Sequence, residues 1–176
     1  QDTYHVVVTN PPYLGVKAMP TGLKQFVSRN YSGFHQDVFA AFIKRSYAFA
    51  RPDGYIALLT PFVWMFIKSY ETLRRSLIQE LQVRALVQLE YGAFEEAVVP
   101  LCLVIIQNRP QDSLSICINL SQFKGMEQQP VKVLEAIRDT GIAYRYEVDP
   151  RMFAAIPGCP FAYWVDHSVR AAYQQG

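Results

Sequence analysis

The feature that most constrains the fold is an apolar run near the start of the chain, which ends at Asn10 and two prolines. Residues 4–9 are mostly β-branched, and a run of this kind predicts a parallel strand that is covered on both faces. Pro11 and Pro12 fix two φ angles and remove two N–H donors, so the chain must leave the sheet there. Ligands of open α/β sheets bind at the carboxyl edge of the strands. We therefore expect a functional site between Asn10 and Tyr13.

The patterns that follow this strand alternate between helix and sheet. Helices are predicted over residues 37–51, 70–82 and 130–141, and further strands over residues 55–60, 83–90, 101–107 and 114–120. The helix over residues 70–82 takes Ser69 as its N-cap and is expected to direct Arg74 and Arg75 outward. The connection between the strands over 83–90 and 101–107 is too short for a helical crossover, which predicts an antiparallel pair. This order predicts an α/β fold, half of a doubly wound sheet that ends in an antiparallel return strand.

The sequence predicts only part of such a domain. No G-x-G-x-x-G turn occurs in the sequence, so we expect the glycine-rich half of the sheet upstream of Gln1. From about residue 142 the apolar periodicity is lost, and residues 156–160 (Ile-Pro-Gly-Cys-Pro) predict a linker. We therefore predict a partial domain over residues 1–141, followed over residues 142–176 by a linker and the start of another region.

Composition narrows the class of protein. The 176 residues are 51% hydrophobic, which is enough for a well-packed core, and a net charge of +2 argues neither for nor against nucleic acid. The three cysteines form no C-x-x-C and the three histidines are scattered, so no metal site is predicted. This usage predicts a reduced, cytoplasmic chain. No apolar run approaches the length of a membrane span.

The residue types at positions 10–13 suit one particular chemistry. Asn10 has a side-chain acceptor oxygen, and the rigid Pro11 directs its carbonyl beside it. Two acceptors suit an amino group with two hydrogens, such as the exocyclic amine of a base, and Tyr13 offers a flat face for the ring. Such acceptors localise the nitrogen lone pair and stabilise the positive charge that develops when the nitrogen attacks an electrophilic methyl group. A strand that merely ends in an Asn turn remains an alternative.

The long irregular segment over residues 14–34 is the second candidate feature. A connection of this length inside a compact domain is typical of a functional loop or lid. It carries Lys17, Lys24 and Arg29, which are candidate contacts to a phosphate backbone. The alternative is a surface insertion with a short helix near residues 23–29, on which these cations are ordinary solvated side chains.

Several motifs resemble a known family. Residues 10–13 (Asn-Pro-Pro-Tyr) after a buried strand resemble the motif of amino-group methyltransferases that use S-adenosylmethionine, chiefly DNA adenine-N6 methyltransferases. Similar segments occur in order at residues 37–43, 57–62 and 91–94, and more narrowly at 10–15, 23–27, 30–31 and 156–164. The narrower set is most similar to the large PglX methyltransferases of bacterial phage-exclusion (BREX) systems and their relatives in type II restriction–modification. The resemblance covers nearly the whole chain.

The resemblance implies an enzyme that transfers a methyl group from S-adenosylmethionine to adenine N6 at specific sites in DNA. The family motif makes Asn10, Pro11, Pro12 and Tyr13 the catalytic segment, with the Asn10 side chain and the Pro11 carbonyl holding the amino group. Because adenine N6 is inaccessible inside a duplex, the base must be flipped out. Tyr13 is then expected to stack on the base, and Phe94 to contact it from another side.

The resemblance also implies the cofactor and the partners. S-adenosylmethionine is the expected cofactor, with Asn10 and Phe42 as its binding residues, although an aromatic residue on a helical stripe such as Phe42 is also typical of a core. Double-stranded DNA is the expected partner. The family's N-terminal half, a target-recognition domain after residues 142–176 and other defence-system subunits are further candidates. We expect residues 1–141 to be part of the methyltransferase domain, and the fragment alone to be inactive.

Two other functions are compatible with the same motif. Methyltransferases that act on a protein glutamine amide or an RNA base also use Asn-Pro-Pro-Tyr. The third possibility is a non-catalytic fragment that packs against partners or DNA. The basic segment after Gly15 and the aromatic exit at residues 156–164 favour DNA.

Overall fold

The computed structural model describes residues 2–92 and 99–165, which form one mixed sheet with helices packed against it. The six strands are β1 (Tyr4–Thr9), β2 (Ala50–Pro61), β3 (Gln82–Gln88), β4 (Leu101–Gln107), β5 (Ser115–Asn119) and β6 (Arg145–Val148). The helices are α1 (Thr21–Asn30), α2 (Val38–Phe49), α3 (Glu71–Gln79) and α4 (Gln128–Arg138), and short 3₁₀ helices cover Phe62–Met65, Lys68–Tyr70 and Pro150–Ala155. Within these described ranges, no helix is long and apolar enough to cross a membrane.

The direction of the strands brings four carboxyl ends to one edge. The spatial order is β1-β2-β4-β3-β5-β6. β1 runs parallel to β2, and β3 parallel to β5, whereas β4 is antiparallel to both β2 and β3. β1, β2, β3 and β5 therefore all point the same way. The predicted α/β order with an antiparallel return strand is confirmed.

The register places the ends of these strands level with one another. Thr9 lies opposite Leu58, three residues before the end of β2. Pro61 and Gln88 pair with the adjacent residues Leu101 and Cys102 of β4. The segments that leave β1, β2 and β3 therefore emerge side by side.

The main core lies between the sheet and helices α2 and α3. α2 begins after Asp37, whose side chain accepts a hydrogen bond from the Phe39 amide at 3.2 Å, as an N-cap does. Phe39 and Ile43 of this helix are fully buried. They join a cluster that includes Ile56, Leu58, Trp64, Leu73, Leu77, Leu86 and Val104. A smaller cluster lies under α4, around Leu120, Ala136 and Tyr144.

β1 differs from the prediction that it is covered on both faces. It pairs only with β2 and forms an edge of the described sheet. Val6 is 57% and Val8 74% exposed, whereas Val7, on the opposite face, packs against the main core. The prediction is wrong for this chain because the described residues cover only one face of the strand.

α3 also differs from the prediction. It begins at Glu71 after Tyr70, and Ser69 lies in a 3₁₀ turn instead of capping the helix. Arg74, expected to face outward, is 1% exposed, whereas Arg75 does face solvent and pairs with Glu71. Arg74 is buried because its guanidinium is surrounded by backbone carbonyls of other segments.

Residues 142–165 pack on the sheet, although they were expected to begin a linker. They supply the outer strand β6, and they bury Phe153, Phe161 and Tyr163 in the main core. The aromatic side chains stabilise this segment even though its apolar residues follow no regular period. Where the catalytic domain ends remains a prediction.

Candidate active site

Asn10 lies at the point where the chain leaves β1, and its side chain is exposed. The Tyr13 hydroxyl lies 2.9 Å from Asn10 Oδ1 and 3.1 Å from the Leu59 carbonyl of β2, and its single hydrogen is shared between these two acceptors. The side-chain amide is therefore held against the carboxyl edge of the sheet. An amide oxygen has two lone pairs, so Oδ1 can accept one further hydrogen bond from a ligand.

The two prolines differ in their environment. Pro11 is buried and Pro12 is exposed. The buried ring fixes the backbone directly after Asn10, since proline locks φ and cannot donate to the sheet. The four residues from Asn10 to Tyr13 thus form a short rigid segment that the sequence locates correctly. Their chemical roles remain predictions.

Tyr13 is half-buried, with one ring edge in the core. Its ring meets that of Phe39 edge to face, with 6.5 Å between the centroids. Burial, followed by the proximity of Cys102, raises the pKa of Tyr13, so the hydroxyl remains a donor at neutral pH. The residue is partly exposed at the sheet edge, and its stacking on a base remains a prediction.

Asp37 is a positioning residue that the sequence reasoning treated only as part of a helix. Its Oδ1 accepts from the Leu14 amide at 2.9 Å as well as from Phe39 of α2. It thereby joins the residue directly after Tyr13 to the start of α2. Burial raises the pKa of Asp37, and the backbone hydrogen bonds partly oppose this effect. The signal available in the sequence was an N-cap residue before an apolar helix.

Phe42 lines a cavity between β1, α1 and α2. The side chain is 40% exposed, and the cavity has a volume of about 310 Å³. Its other walls are mostly apolar and include Val7, Thr9, Leu23, Phe26 and Val27. Phe42 is therefore not a core residue, and the cavity begins beside the last residue of β1.

The three side chains predicted to contact the phosphate backbone of DNA lie on the segment before α2. Lys17 lies in a turn, whereas Lys24 and Arg29 lie on α1, so the short helix expected as the alternative is present. All three are exposed, and none forms an ion pair with another described residue. Lys24 and Arg29 are five positions apart, about 140° around the helix, so they do not share a face. Phe94 lies outside the described residues.

No group of metal-ligating side chains occurs in the part of the chain that the structure describes. Cys102, Cys117 and Cys159 are free and buried. Burial raises the pKa of both Cys102 and Cys117 to about 12, so these thiols remain protonated and unreactive at neutral pH. The chemistry available at the edge is therefore that of amide and carbonyl acceptors beside an aromatic ring.

Solved structures with this arrangement of strands define the class of the fold. A type I restriction–modification methyltransferase subunit from Streptococcus thermophilus superposes with a TM-score of 0.67 at 16% identity, covering 93% of this chain and 38% of that one. A protein from Listeria monocytogenes, assigned to the class I S-adenosylmethionine-dependent methyltransferases, gives a TM-score of 0.57 at 17% identity, covering 79% of this chain and 43% of that one. The fold is that of a class I methyltransferase, and the predicted Rossmann-like sheet is confirmed.

Sequence comparison identifies the family. Residues 1–94, more than half of the chain, match the Eco57I restriction-modification methylases. The chain belongs to this family. It is also 30% identical over 165 residues to the adenine-specific methyltransferase PglX of Lacticaseibacillus casei (strain Zhang). That match covers 92% of this chain but only 14% of the relative's length.

Proposed function

We propose that this chain is the base-binding part of a larger DNA adenine-N6 methyltransferase that uses S-adenosylmethionine in phage defence or restriction–modification. The observation that carries the proposal is the exposed Asn10 side chain, held by the Tyr13 hydroxyl at the carboxyl edge of a methyltransferase fold. Membership of the Eco57I family and the similarity to PglX support adenine as the substrate base. Because this substrate is cellular DNA, we place the activity in the cytoplasm.

The proposed chemistry assigns a separate role to each residue of the site. Asn10 Oδ1 and the Pro11 carbonyl each accept one hydrogen from adenine N6. These two hydrogen bonds localise the lone pair on N6 by reducing its conjugation with the ring. They also stabilise the positive charge that N6 gains when it takes the methyl group. The bond between the methyl carbon and the sulfonium sulfur would break as the bond to N6 forms, which leaves a neutral thioether, and N6 would then release one proton to water. Tyr13 stacks on the flipped base and offsets part of the energy lost on unstacking.

The described residues fit part of a cofactor site. When bound, S-adenosylmethionine supplies the methyl group. Phe42 and its apolar neighbours offer a wall for the flat adenine of the cofactor, next to the end of β1. Asn10 directly follows Thr9, which lines this cavity. The glycine-rich turn expected to bind the rest of the cofactor is not in the sequence.

The exposed edge of β1 supports the proposal that further segments complete the enzyme. Val6 and Val8 are apolar and exposed on a strand that has one neighbour. We propose that the family's N-terminal half pairs with this edge, and that a target-recognition domain follows residues 142–176. The proposal makes double-stranded DNA the main partner, with Lys17, Lys24 and Arg29 on its backbone. Other subunits of a defence system are secondary candidates.

The test is adenine methylation by the full-length protein. Plasmid DNA from cells that produce the wild type should carry N6-methyladenine at a defined sequence, detected by single-molecule sequencing. Asn10→Ala should abolish the modification. Asn119→Ala is the matched control, because Asn119 lies at the end of β5 and its Oδ1 accepts only the local Ser121 amide among the described residues.

The outcomes separate the alternatives. Unchanged methylation in Asn10→Ala contradicts the assignment of the acceptor. Methylation of RNA or of a protein glutamine, with unmodified DNA, favours the second class of substrate. Absence of any transfer by the wild type favours a non-catalytic role.

A further inference from the structure

The exit segment over residues 156–165 reaches the same edge of the sheet as Asn10. The Tyr163 hydroxyl donates to Gln88 Oε1, at the carboxyl end of β3, at 2.8 Å. Three strand-to-strand steps lead from β1 through β2 and β4 to β3. With strands about 4.8 Å apart, three steps span roughly 14 Å. Tyr163 is therefore anchored at the edge of the sheet that carries residues 10–13, and Trp164 follows it directly in the chain.

Trp164 is an exposed aromatic ring on a rigid support. It is 43% exposed, whereas its neighbour Tyr163 is 1% exposed. Its ring contacts that of Phe66 at 5.4 Å and that of Tyr163 at 5.0 Å between centroids. Phe66 in turn meets Phe62, the first residue after β2, at 6.1 Å. These rings form a continuous row along the carboxyl edge.

Arg74 fixes the backbone that carries this tryptophan. Its Nε and Nη2 both donate to the Gly158 carbonyl, at 2.9 Å and 2.7 Å. Its Nη1 donates to the carbonyls of Trp64 and Ile67, in the turn after β2. One buried guanidinium thus binds the exit segment to the turn that carries Phe66. Gly158 adopts φ +80°, which favours glycine at this turn.

The charge around the ring suits a nucleic acid. Lys68 shares a surface depression with Phe66, Gly158 and Glu71, and the Glu71 carboxylate pairs with Arg75. Lys68 is exposed and forms no ion pair with another described residue. Trp164 does not line this depression but contacts its Phe66, so the exposed ring and the cation are connected through Phe66. An aromatic ring and a cation on one surface can bind a base and its phosphate.

We infer that Trp164 is a second base-contacting residue, which stacks on a nucleotide near the target adenine in the opened DNA. The inference rests on the proposed function. The ends of β1 and β3 are three strand spacings apart, so the base that Trp164 contacts is not the target itself. Trp164 thereby contributes to DNA binding and leaves transfer of the methyl group to residues 10–13.

The test compares three variants of the full-length protein on a duplex that contains the sequence methylated by the wild type. Trp164→Ala should weaken DNA binding about tenfold, as expected for loss of one stacked base, and Trp164→Phe should lose less. The KM for DNA should rise, whereas kcat at saturating DNA and the Kd for S-adenosylmethionine should stay unchanged. Ile137→Ala is the control, because Ile137 is a 64% exposed apolar side chain on α4.

Tryptophan fluorescence gives an independent measurement. This chain has two tryptophans, and Trp64 is fully buried. DNA should quench emission from the wild type, and Trp164→Phe should remove that part of the quenching. If the Trp164 ring had only a structural role, DNA would not quench its emission.

Two results would overturn the inference. One is a wild-type Kd for DNA in Trp164→Ala. The other is quenching by DNA that Trp164→Phe leaves unchanged, which would show that the ring does not meet the bound DNA. If the wild-type protein methylates adenine, either result refutes only the role of Trp164, and the proposed function stands. If the wild-type protein does not methylate adenine, the proposed function itself is refuted.

Discussion

Tyr13→Phe tests whether the Tyr13 hydroxyl orients the proposed catalytic amide. The substitution keeps the ring and removes the donor to Asn10 Oδ1 at 2.9 Å and to the Leu59 carbonyl at 3.1 Å. A hydrogen bond of this kind contributes about 1 kcal/mol net. If that energy restricts Asn10 to its reactive orientation, its loss lowers the transfer rate by a factor of about five.

The assay is a single-turnover methylation by the full-length protein at saturating DNA and cofactor. Tyr13→Ala is the comparison, because it also removes the stacking ring. Stacking of an aromatic ring on a base contributes about 1–3 kcal/mol, so the alanine variant should bind DNA at least about fivefold more weakly than Tyr13→Phe. The effect of Tyr13→Phe should not depend on pH in the neutral range, since the pKa of Tyr13 is raised.

Two results would refute this reasoning about Tyr13. A wild-type rate in Tyr13→Phe would show that the hydroxyl does not orient Asn10. Equal DNA affinity in Tyr13→Phe and Tyr13→Ala would show that the ring does not stack on the base.

Two further predictions concern residues that support the site. Arg74→Met should lower the free energy of unfolding by at least about 3 kcal/mol, because three backbone carbonyls lose a charged donor, whereas Arg75→Met should cost less than about 1 kcal/mol. Denaturant unfolding measures both, and equal effects would contradict the role of the buried guanidinium. Burial raises the pKa of Asp37, so its contribution to stability is full below the ordinary carboxyl pKa and is lost as pH rises through the raised value. Asp37→Asn should remove this pH dependence of thermal unfolding while keeping an acceptor for Leu14, and an unchanged pH profile would contradict the assignment.

Local patterns were sufficient to predict most of the fold. The apolar stripe of α2 predicted a helix over residues 37–51, whose start lies within a residue of the observed Val38. The short connection between β3 and β4 required an antiparallel pair, since a parallel pair needs a long crossover. The prolines after Thr9 located the edge at which Asn10 lies. Each of these inferences depends on neighbours in sequence.

The contacts of Arg74 depend on residues distant in sequence and could not be predicted in the same way. The helical pattern predicts that Arg74 and Arg75 both face solvent, although Arg74 is buried and Arg75 exposed. The difference arises from Gly158, which is 84 positions away in the chain and supplies a carbonyl to Arg74. No periodic pattern around residues 156–160 indicated that this segment returns to the sheet.

The two exposed edges of the sheet explain how a larger protein can use this chain. Edge strands in native proteins normally carry charges or prolines that prevent pairing with another chain. The exposed Val6 and Val8 of β1 are neither charged nor proline. β1 is therefore suited to accept another strand, as the proposed N-terminal half requires. The carboxyl edge pairs with no strand, because strands pair along their sides and not at their ends, and Pro11 and Pro12 direct the chain out of the sheet there. It presents the side chain of Asn10 instead. Since the strand edge and the carboxyl edge of a sheet are perpendicular, the proposed N-terminal half and the DNA can occupy them at the same time, as the proposed transfer of a methyl group from the cofactor to the DNA requires.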